Sequence, residues 1–382
     1  MKVAGLNRGF VWIGVGILFL LGVSFVLPII SKEDYVAKNE VEVVASSTEP
    51  VFIVTHVETP EPLKAIYMTS CVASTHSWRE SLKKFVEDTE LNSIVIDIKD
   101  YSGDISLEPT AKCFVKDMKE FIGELHEANI YVIGRVTVFQ DPKYAELHPE
   151  MAVKSKSTGG TWRDRKGLAF IDVGAREYWN HIVALSKQSY DLGFDEINFD
   201  YIRYPSDGNM KDAQYSLTVG TSTKVEMLES FFSHLHKSLK DTGVKTSADI
   251  FGFATLLPDD LGIGQILEHI LPHFDYVYPM VYPSHYSFNV GGFGDPATHP
   301  YEIVKYSMET AVKREQTWNL ENGRATTTPS KLRPWLQDFD LGAQYGVPEV
   351  QAQMKATYDS GLTGWLMWDA GNKYTREAYL VE

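Results

Sequence analysis

From residue 63 onward, apolar runs of strand length alternate with longer stretches of helical periodicity. The pattern predicts strands over 63–69, 93–99, 130–139, 194–202, 245–251, 275–282 and 363–369, and a weaker one near 331–339. Helices are predicted over 77–89, 115–128, 175–192, 223–242, 261–271, 301–316 and 348–360, with an eighth after Tyr374. Strand–helix units repeated in this way build a parallel sheet covered by helices. Eight of them in about 320 residues predict an α/β fold, a (β/α)8 TIM barrel. The alternative, a doubly wound sheet, is disfavoured because no glycine-rich phosphate loop follows the first strand.

Within each strand the alternation separates two faces. In the run from Gly193 to Pro205, Ile197, Phe199 and Tyr201 share one face, while Glu196, Asn198 and Asp200 share the other. In a barrel wrapped by helices the apolar face packs outward and the polar face points inward. Asp200 then stands near the C-terminal end of its strand, where such barrels keep their chemistry. Pro205, which has no N–H to give a ladder, closes the strand. The same reading turns Asp97 and Lys99 inward on the second strand, and Arg135 and Thr137 on the third. Ser247 and Asp249 follow on the fifth, and Tyr278, Met280 and Tyr282 on the sixth. The eighth ends in Trp368 and Asp369. Buried charges are costly unless paired or used. Asp97, Lys99 and Arg135 therefore form either a structural ion-pair network or part of a binding site.

Asp200 and Asp249 lie on neighbouring strands among Tyr and Trp. Two carboxyl groups flanking one mouth are the equipment of glycoside hydrolysis, in which one donates a proton and the other stays ionised. Asp200 is expected to be the nucleophile or stabiliser, kept ionised by nearby Arg203. Asp249 is expected to be the proton donor, with the two carboxyls about 5–10 Å apart. Arg203, Tyr204, Tyr282, Trp368 and Asp369 are candidate sugar-binding or pKa-tuning residues, beside Asp97, Lys99 and Arg135. The connection 140–173 is unusually long, and long loops in compact domains are functional or disordered. It predicts an ordered lid with Trp162 as a sugar platform. Asp172 is predicted to cap the third helix.

Upstream of the barrel, residues 9–30 carry no charge, follow Lys2 and Arg8, and precede Glu33 and Asp34. The run is long enough to span a bilayer, with the N-terminus in the cytoplasm. A cleaved signal peptide is the alternative, but the run is longer than its usual apolar core and no A-x-A site follows. Either way the remaining chain is expected outside the cytoplasm. Residues 31–62 read as an extended linker rich in Glu, Val, Ser, Thr and Pro. The expected organisation is thus 1–30 anchor, 31–62 linker and 63–382 barrel.

Composition narrows the partners. A net charge of −15 opposes non-specific binding to nucleic acid or to an anionic membrane surface. The 8 Trp and 20 Tyr suit carbohydrate sites, where sugar faces stack on rings. Two cysteines, Cys71 and Cys113, have no metal-ligand spacing, and no H-E-x-x-H occurs, so neither metal nor cofactor is expected. Both cysteines follow candidate strands, and a disulfide between them is left open.

The run Gly193–Pro205, the pair Asp141-Pro142, the stretch 149–167 with Trp162, and Tyr278-Pro279-Met280-Val281-Tyr282-Pro283 together resemble a glycoside hydrolase family of bacterial surface proteins. The resemblance spans roughly residues 64–368 and implies a TIM-barrel glycosidase fold without naming a substrate. The first and last of these motifs are also similar to the fourth- and sixth-strand motifs of chitinase-like enzymes. There the catalytic Glu lies two residues beyond the last Asp, a place taken here by Ile202, and Pro283 replaces an acidic or amide residue. The pattern looks closer to amylase-like enzymes with a fourth-strand Asp and a fifth-strand acid, although that acid is often Glu. The resulting expectation is a membrane-anchored glycoside hydrolase acting on extracellular or cell-wall polysaccharide. The alternative is a non-catalytic carbohydrate-binding barrel.

Overall fold

The computed structural model describes residues 54–218, 223–325 and 327–380. The expected membrane span, 9–30, and the linker as far as residue 53 lie outside the described residues. Within them, eight parallel strands close into a barrel: β1 Lys64–Met68, β2 Ser93–Lys99, β3 Tyr131–Thr137, β4 Glu196–Asp200, β5 Lys245–Phe251, β6 Tyr276–Met280, β7 Trp335–Gln337 and β8 Trp365–Trp368. Each strand pairs with its neighbours in sequence, and β8 pairs with β1 to close the ring. After each of the first seven strands comes one covering helix: α1 His76–Glu87, α2 Met118–Glu127, α3 Arg176–Leu192, α4 Lys224–Leu239, α5 Leu267–Ile270, α6 Pro300–Glu321 and α7 Val347–Asp359; short helices Ser70–Ala73, Pro142–Leu147 and Phe253–Leu256 lie in the connections. This is the α/β barrel that the hydrophobic pattern predicts.

The two faces of each strand enter different cores. Ile94, Ile96, Val132, Val136, Ile197, Phe199, Ala248 and Ile250 face outward and pack with Phe121, Ile182, Phe231 and Met308 of the helices. Ala65, Tyr67, Val95, Tyr131, Ile133, Tyr278, Tyr282, Trp335 and Leu366 fill the interior. Period-two alternation allows this, because one ladder serves two cores. α3 is held by a buried stripe that includes Tyr178, Trp179, Ile182, Leu185 and Ser189. It stops at Gly193, whose φ of 119° satisfies the last turn in a left-handed cap that a side chain would strain. α4 begins with a capping box between Thr223 and Glu226.

Two helix expectations fail for local reasons. The stretch 261–271 forms only the single turn α5, because Leu261, Gly262 and Gly264 all adopt positive φ. The Asp260 carboxylate accepts from the Gly262 and Gly264 N–H groups and fixes that turn. After Tyr374 there is only a 3-10 turn, Arg376–Ala378. Asp172 is no helix cap: it accepts from the N–H groups of Gly174 and Leu217 and the Thr218 hydroxyl, tying two loops together.

Residues 54–62, expected as the end of a linker, lie against the N-terminal ends of the strands. The Val57 N–H donates to Asp195 (2.8 Å), the Thr59 hydroxyl to Tyr131 (3.2 Å), and Glu61 pairs with Arg333 at 2.6 Å. Arg333 is buried and loses its carboxylate partner when the segment is removed, while Asp195 loses the Val57 N–H but keeps Val132 and His126. A chain starting at Lys64 is therefore expected to lose about 2–3 kcal/mol relative to one starting at Phe52. Equal urea midpoints for the two would refute this.

Cys71, in the short helix after β1, and Cys113, in the loop after β2, form a disulfide with a Cα–Cα distance of 4.7 Å. It closes a separation of 42 residues, worth about 4 kcal/mol in the chain-entropy account. Thiol titration of the denatured, unreduced protein is expected to find no free thiol.

Candidate active site

The barrel interior becomes polar toward the C-terminal ends of β2 to β5, and register explains why. Asp97 of β2 pairs in register with Arg135 of β3, and Arg135 with Asn198 of β4. Thr137 of β3 lies opposite Asp200, and Asn198 opposite Ser247. Inward residues of four adjacent strands thus stand side by side. Arg135 is their hub. It donates to Asp97 (2.7 Å) and to Asp200 (2.5 Å), and its Nε lies 4.0 Å from Asp249. Burial opposes the guanidinium's charge, but Asp200 and Asp97 outweigh it and hold the group protonated, its pKa well above normal.

Asp200 and Asp249 touch one guanidinium from two sides. Their nearer oxygens are no more than about 9 Å apart, since both measured nitrogens belong to one rigid plane. Their environments differ. Asp200 accepts from Arg135 and from the Tyr201 N–H. Asp249 receives the Asn198 amide (2.9 Å) and the Trp335 indole N–H (2.8 Å), both on Oδ1. Burial pushes the Asp249 carboxyl well above the carboxylate range, and the charge of Asp200 adds to the rise. Arg135, Asn198 and Trp335 oppose it. One carboxyl is therefore pushed toward its protonated form beside another that is paired with a cation. Asp97 is raised by burial too, although Arg135 and the Tyr67 hydroxyl, 2.5 Å away, pull it back.

Above this cluster opens a cavity of about 410 Å³, in the range that takes small ligands. Its walls include Arg135, Asp200, Arg203, Asp249, Tyr282 and Trp368, all expected from the sequence. Tyr201, Phe251, His285, Tyr286 and Trp335 also line it, and were missed. Tyr201 was expected on the outer face. Its φ of 52° ends the strand and turns it into the cavity wall. Trp335 sits in the weakest predicted strand, whereas Asn198 was already legible as inward-facing. A shallower depression of about 570 Å³ lies on the outside near α3 and α4, lined by Arg176, Trp179, Glu229 and His234. It is remote from the strand ends.

Four expected site residues lie elsewhere. Lys99 is sealed in at 1% exposure, bonded to the Thr137 carbonyl (2.7 Å) and to Asp141 (3.0 Å). An irregularity in the β2–β3 register between Asp97 and Lys99 carries it out of the inward row. Trp162 is 2% exposed and forms a small core with Val153, Phe170 and Ala213, its indole donating to the Asn209 carbonyl. It is no platform, and no residue of 140–173 lines the cavity; the connection folds on itself through isolated antiparallel bridges and pairs Lys154 and Ser155 with Gln214 and Ala213. Tyr204 is fully buried, edge-on to Tyr215. Asp369 accepts from the Gly371 and Lys373 N–H groups and shapes a turn. The cation bonded to Asp200 is Arg135, not Arg203.

Comparison with solved structures gives the same architecture. The glycoside hydrolase domain of PgaB (BpsB) from Bordetella bronchiseptica is 13% identical, with a TM-score of 0.58 over 83% of this chain and 97% of that one. Alpha-L-fucosidase isoenzyme 2 from Paenibacillus thiaminolyticus is 12% identical, with a TM-score of 0.54 over 83% of this chain and 48% of that one. A hypothetical protein from Ruminiclostridium thermocellum ATCC 27405 is 29% identical over 52% of this chain and 98% of that one, with a TM-score of 0.43. At these identities the first two likenesses concern the fold alone. No curated protein matches the chain by sequence. A family model does match, over residues 65–374, which takes in all but the first residue of the barrel strands and every group bonded to Arg135. By that match the chain belongs to the family described as "Putative glycosyl hydrolase domain".

Proposed function

We propose that this protein is a membrane-anchored glycoside hydrolase acting on extracellular or cell-wall polysaccharide, with Asp249 as general acid and Asp200 as nucleophile or electrostatic stabiliser. The observation that carries this reading is the asymmetry of the two carboxyls around one guanidinium. Burial and the neighbouring Asp200 push the Asp249 carboxyl toward its protonated form, and with Oδ1 taken by two N–H donors Oδ2 is the oxygen left to carry a proton. Transfer to the glycosidic oxygen breaks the leaving-group bond as positive charge develops on the sugar ring. Asp200, paired with Arg135, meets that charge. Tyr67 stacks on Trp368 with centroids 4.0 Å apart, and Trp368 offers the cavity an aromatic wall suited to a sugar face. The separation of the carboxyls suits one scissile bond, so the non-catalytic binding barrel gains no support from it.

The test is to screen the compact unit 52–382 against a panel of polysaccharides and analyse the products. Release of shorter sugars from none of them would refute the proposal. The pH profile supplies a second check. The acid must be protonated, so kcat/KM is expected to fall as pH rises through the raised pKa of Asp249. In Asp249→Asn that alkaline limb should vanish. Stability follows the same sign: a raised folded-state pKa favours the fold at low pH, and the contribution is lost as pH rises through it.

Localisation outside the cytoplasm is part of the proposal. It is supported by the charge-free run 9–30 behind Lys2 and Arg8, and by the Cys71–Cys113 disulfide, a bond that persists in oxidising compartments. A reporter fused after Glu382 should be active only on the exported side; cytoplasmic activity would refute the topology.

A further inference from the structure

Four arginines of the described chain are buried: Arg79, Arg135, Arg203 and Arg333. Three of them meet a carboxylate. Arg79 lies 2.5 Å from Asp117, Arg333 lies 2.6 Å from Glu61, and Arg135 holds Asp97 and Asp200. Arg203 does not. Among the described residues no carboxylate oxygen comes within 4.0 Å of its guanidinium, and Asp200, Asp207 and Asp164 act on it only from farther away.

Its setting is nonetheless built. The guanidinium carbon stands 4.9 Å from the Tyr201 ring centre and 4.7 Å from that of Phe251, so the group is held against two aromatic rings. Nη1 donates to the Tyr204 carbonyl at 3.1 Å, which fixes the plane. The remaining donors of the fork are not sealed inside protein, and the residue lines the cavity. Arg135 is already occupied by two carboxylates, so among the described residues Arg203 is the lining arginine free to meet a ligand. A buried, unpaired guanidinium is unfavourable and is compensated when an anion enters.

We propose that Arg203 is the anion-reading residue of the cavity, and that the sugar seated there carries a carboxylate: a uronic-acid unit within a heteropolysaccharide. The identification of the ligand as a sugar rests on the glycosidase reading above. A planar fork matches a carboxylate in two parallel hydrogen bonds, and a single cation suits a single negative charge. The net charge of −15 disfavours an unbroken polyanion, so acidic units spaced by neutral ones fit better.

The test is binding, read without turnover from quenching of Trp335 and Trp368 fluorescence in the full-length protein. The probes are glucuronate- and galacturonate-containing oligosaccharides, each paired with its carboxyl-reduced counterpart. At least one acidic probe is expected to bind about tenfold or more tightly than its reduced partner. Arg203→Gln should bring that ratio to about one, while Arg203→Lys, which keeps the charge but loses the fork, should keep an intermediate preference. No preference in either pair, or a preference that survives Arg203→Gln, overturns the proposal. The two readings fail differently. A preference without cleavage refutes the hydrolase, and cleavage of neutral chains without a preference refutes the uronate.

Discussion

Asp200→Asn is expected to reduce turnover by roughly 10³-fold or more while leaving the fold intact. The substitution is isosteric. The Asn carbonyl still accepts from Arg135 or the Tyr201 N–H, so the local geometry survives. What disappears is the negative charge that meets the developing cation on the sugar. Asp249→Asn should behave differently. Its carbonyl oxygen can replace Oδ1 under the Asn198 and Trp335 donors, leaving an amide where the acidic proton stood. Turnover of unactivated glycosides should then fall by about 10²–10⁴-fold, whereas aryl glycosides with good leaving groups need little protonation and should be largely spared. Circular dichroism and melting curves separate these losses from misfolding. If both variants keep full activity on a substrate that the wild type cleaves, the assignment is wrong.

The largest effect on stability is expected from Arg135→Met. Three carboxyls, those of Asp97, Asp200 and Asp249, surround this guanidinium, and each is buried. Removing the cation strips Asp97 and Asp200 of their close partner in a site from which water is largely excluded, a change that typically costs about 3–5 kcal/mol. Methionine keeps much of the stem's volume, so a cavity accounts for little of the loss. The deficit should shrink as pH falls, because the carboxyls then fold neutral and need no cation. Urea unfolding at pH 7 and pH 4 tests both statements. A loss below about 1 kcal/mol at pH 7, or one independent of pH, would mean that Arg135 is not the hub.

The barrel was legible because its strands obey a strict rule. Ile197 and Phe199 out, Asn198 and Asp200 in, is a pattern that only a two-faced strand satisfies, and it gave Asp97, Arg135, Asp249 and Tyr282 their direction too. The rule ends where the ladder ends. At Tyr201 the backbone turns to positive φ, and beyond that point spacing no longer encodes direction, which is why Tyr201 and Tyr204 were misplaced. Lys99 was lost to a register irregularity that no composition announces. Trp162 shows a different limit: a Trp in a long loop reads as exposed until the loop is found to carry its own small core. Asp200 was assigned the wrong cation because Arg203 is near it in sequence, whereas barrel pairing brings Arg135 from 65 residues away. The docking of residues 54–62 was invisible for the same reason. Its contacts are scattered polar bonds, one of them to Arg333 across a sequence separation of 272, with Val57 on the interior core and His56 stacked on Tyr190.

That docked segment also sets how the molecule carries force. Past the Thr55–His126 contact and the His56–Tyr190 stack, a pull on the chain from its N-terminal side is borne by three bonds, Val57–Asp195, Thr59–Tyr131 and Glu61–Arg333. All three grip the ends of β3, β4 and β7 opposite the cavity, with Tyr131 and Asp195 at the starts of their strands. Tension would peel residues 54–62 away bond by bond before any of it reached Asp200 or Asp249. In the membrane-anchored protein proposed above, such a load would be shed at the floor of the barrel, and the geometry at its mouth would be kept.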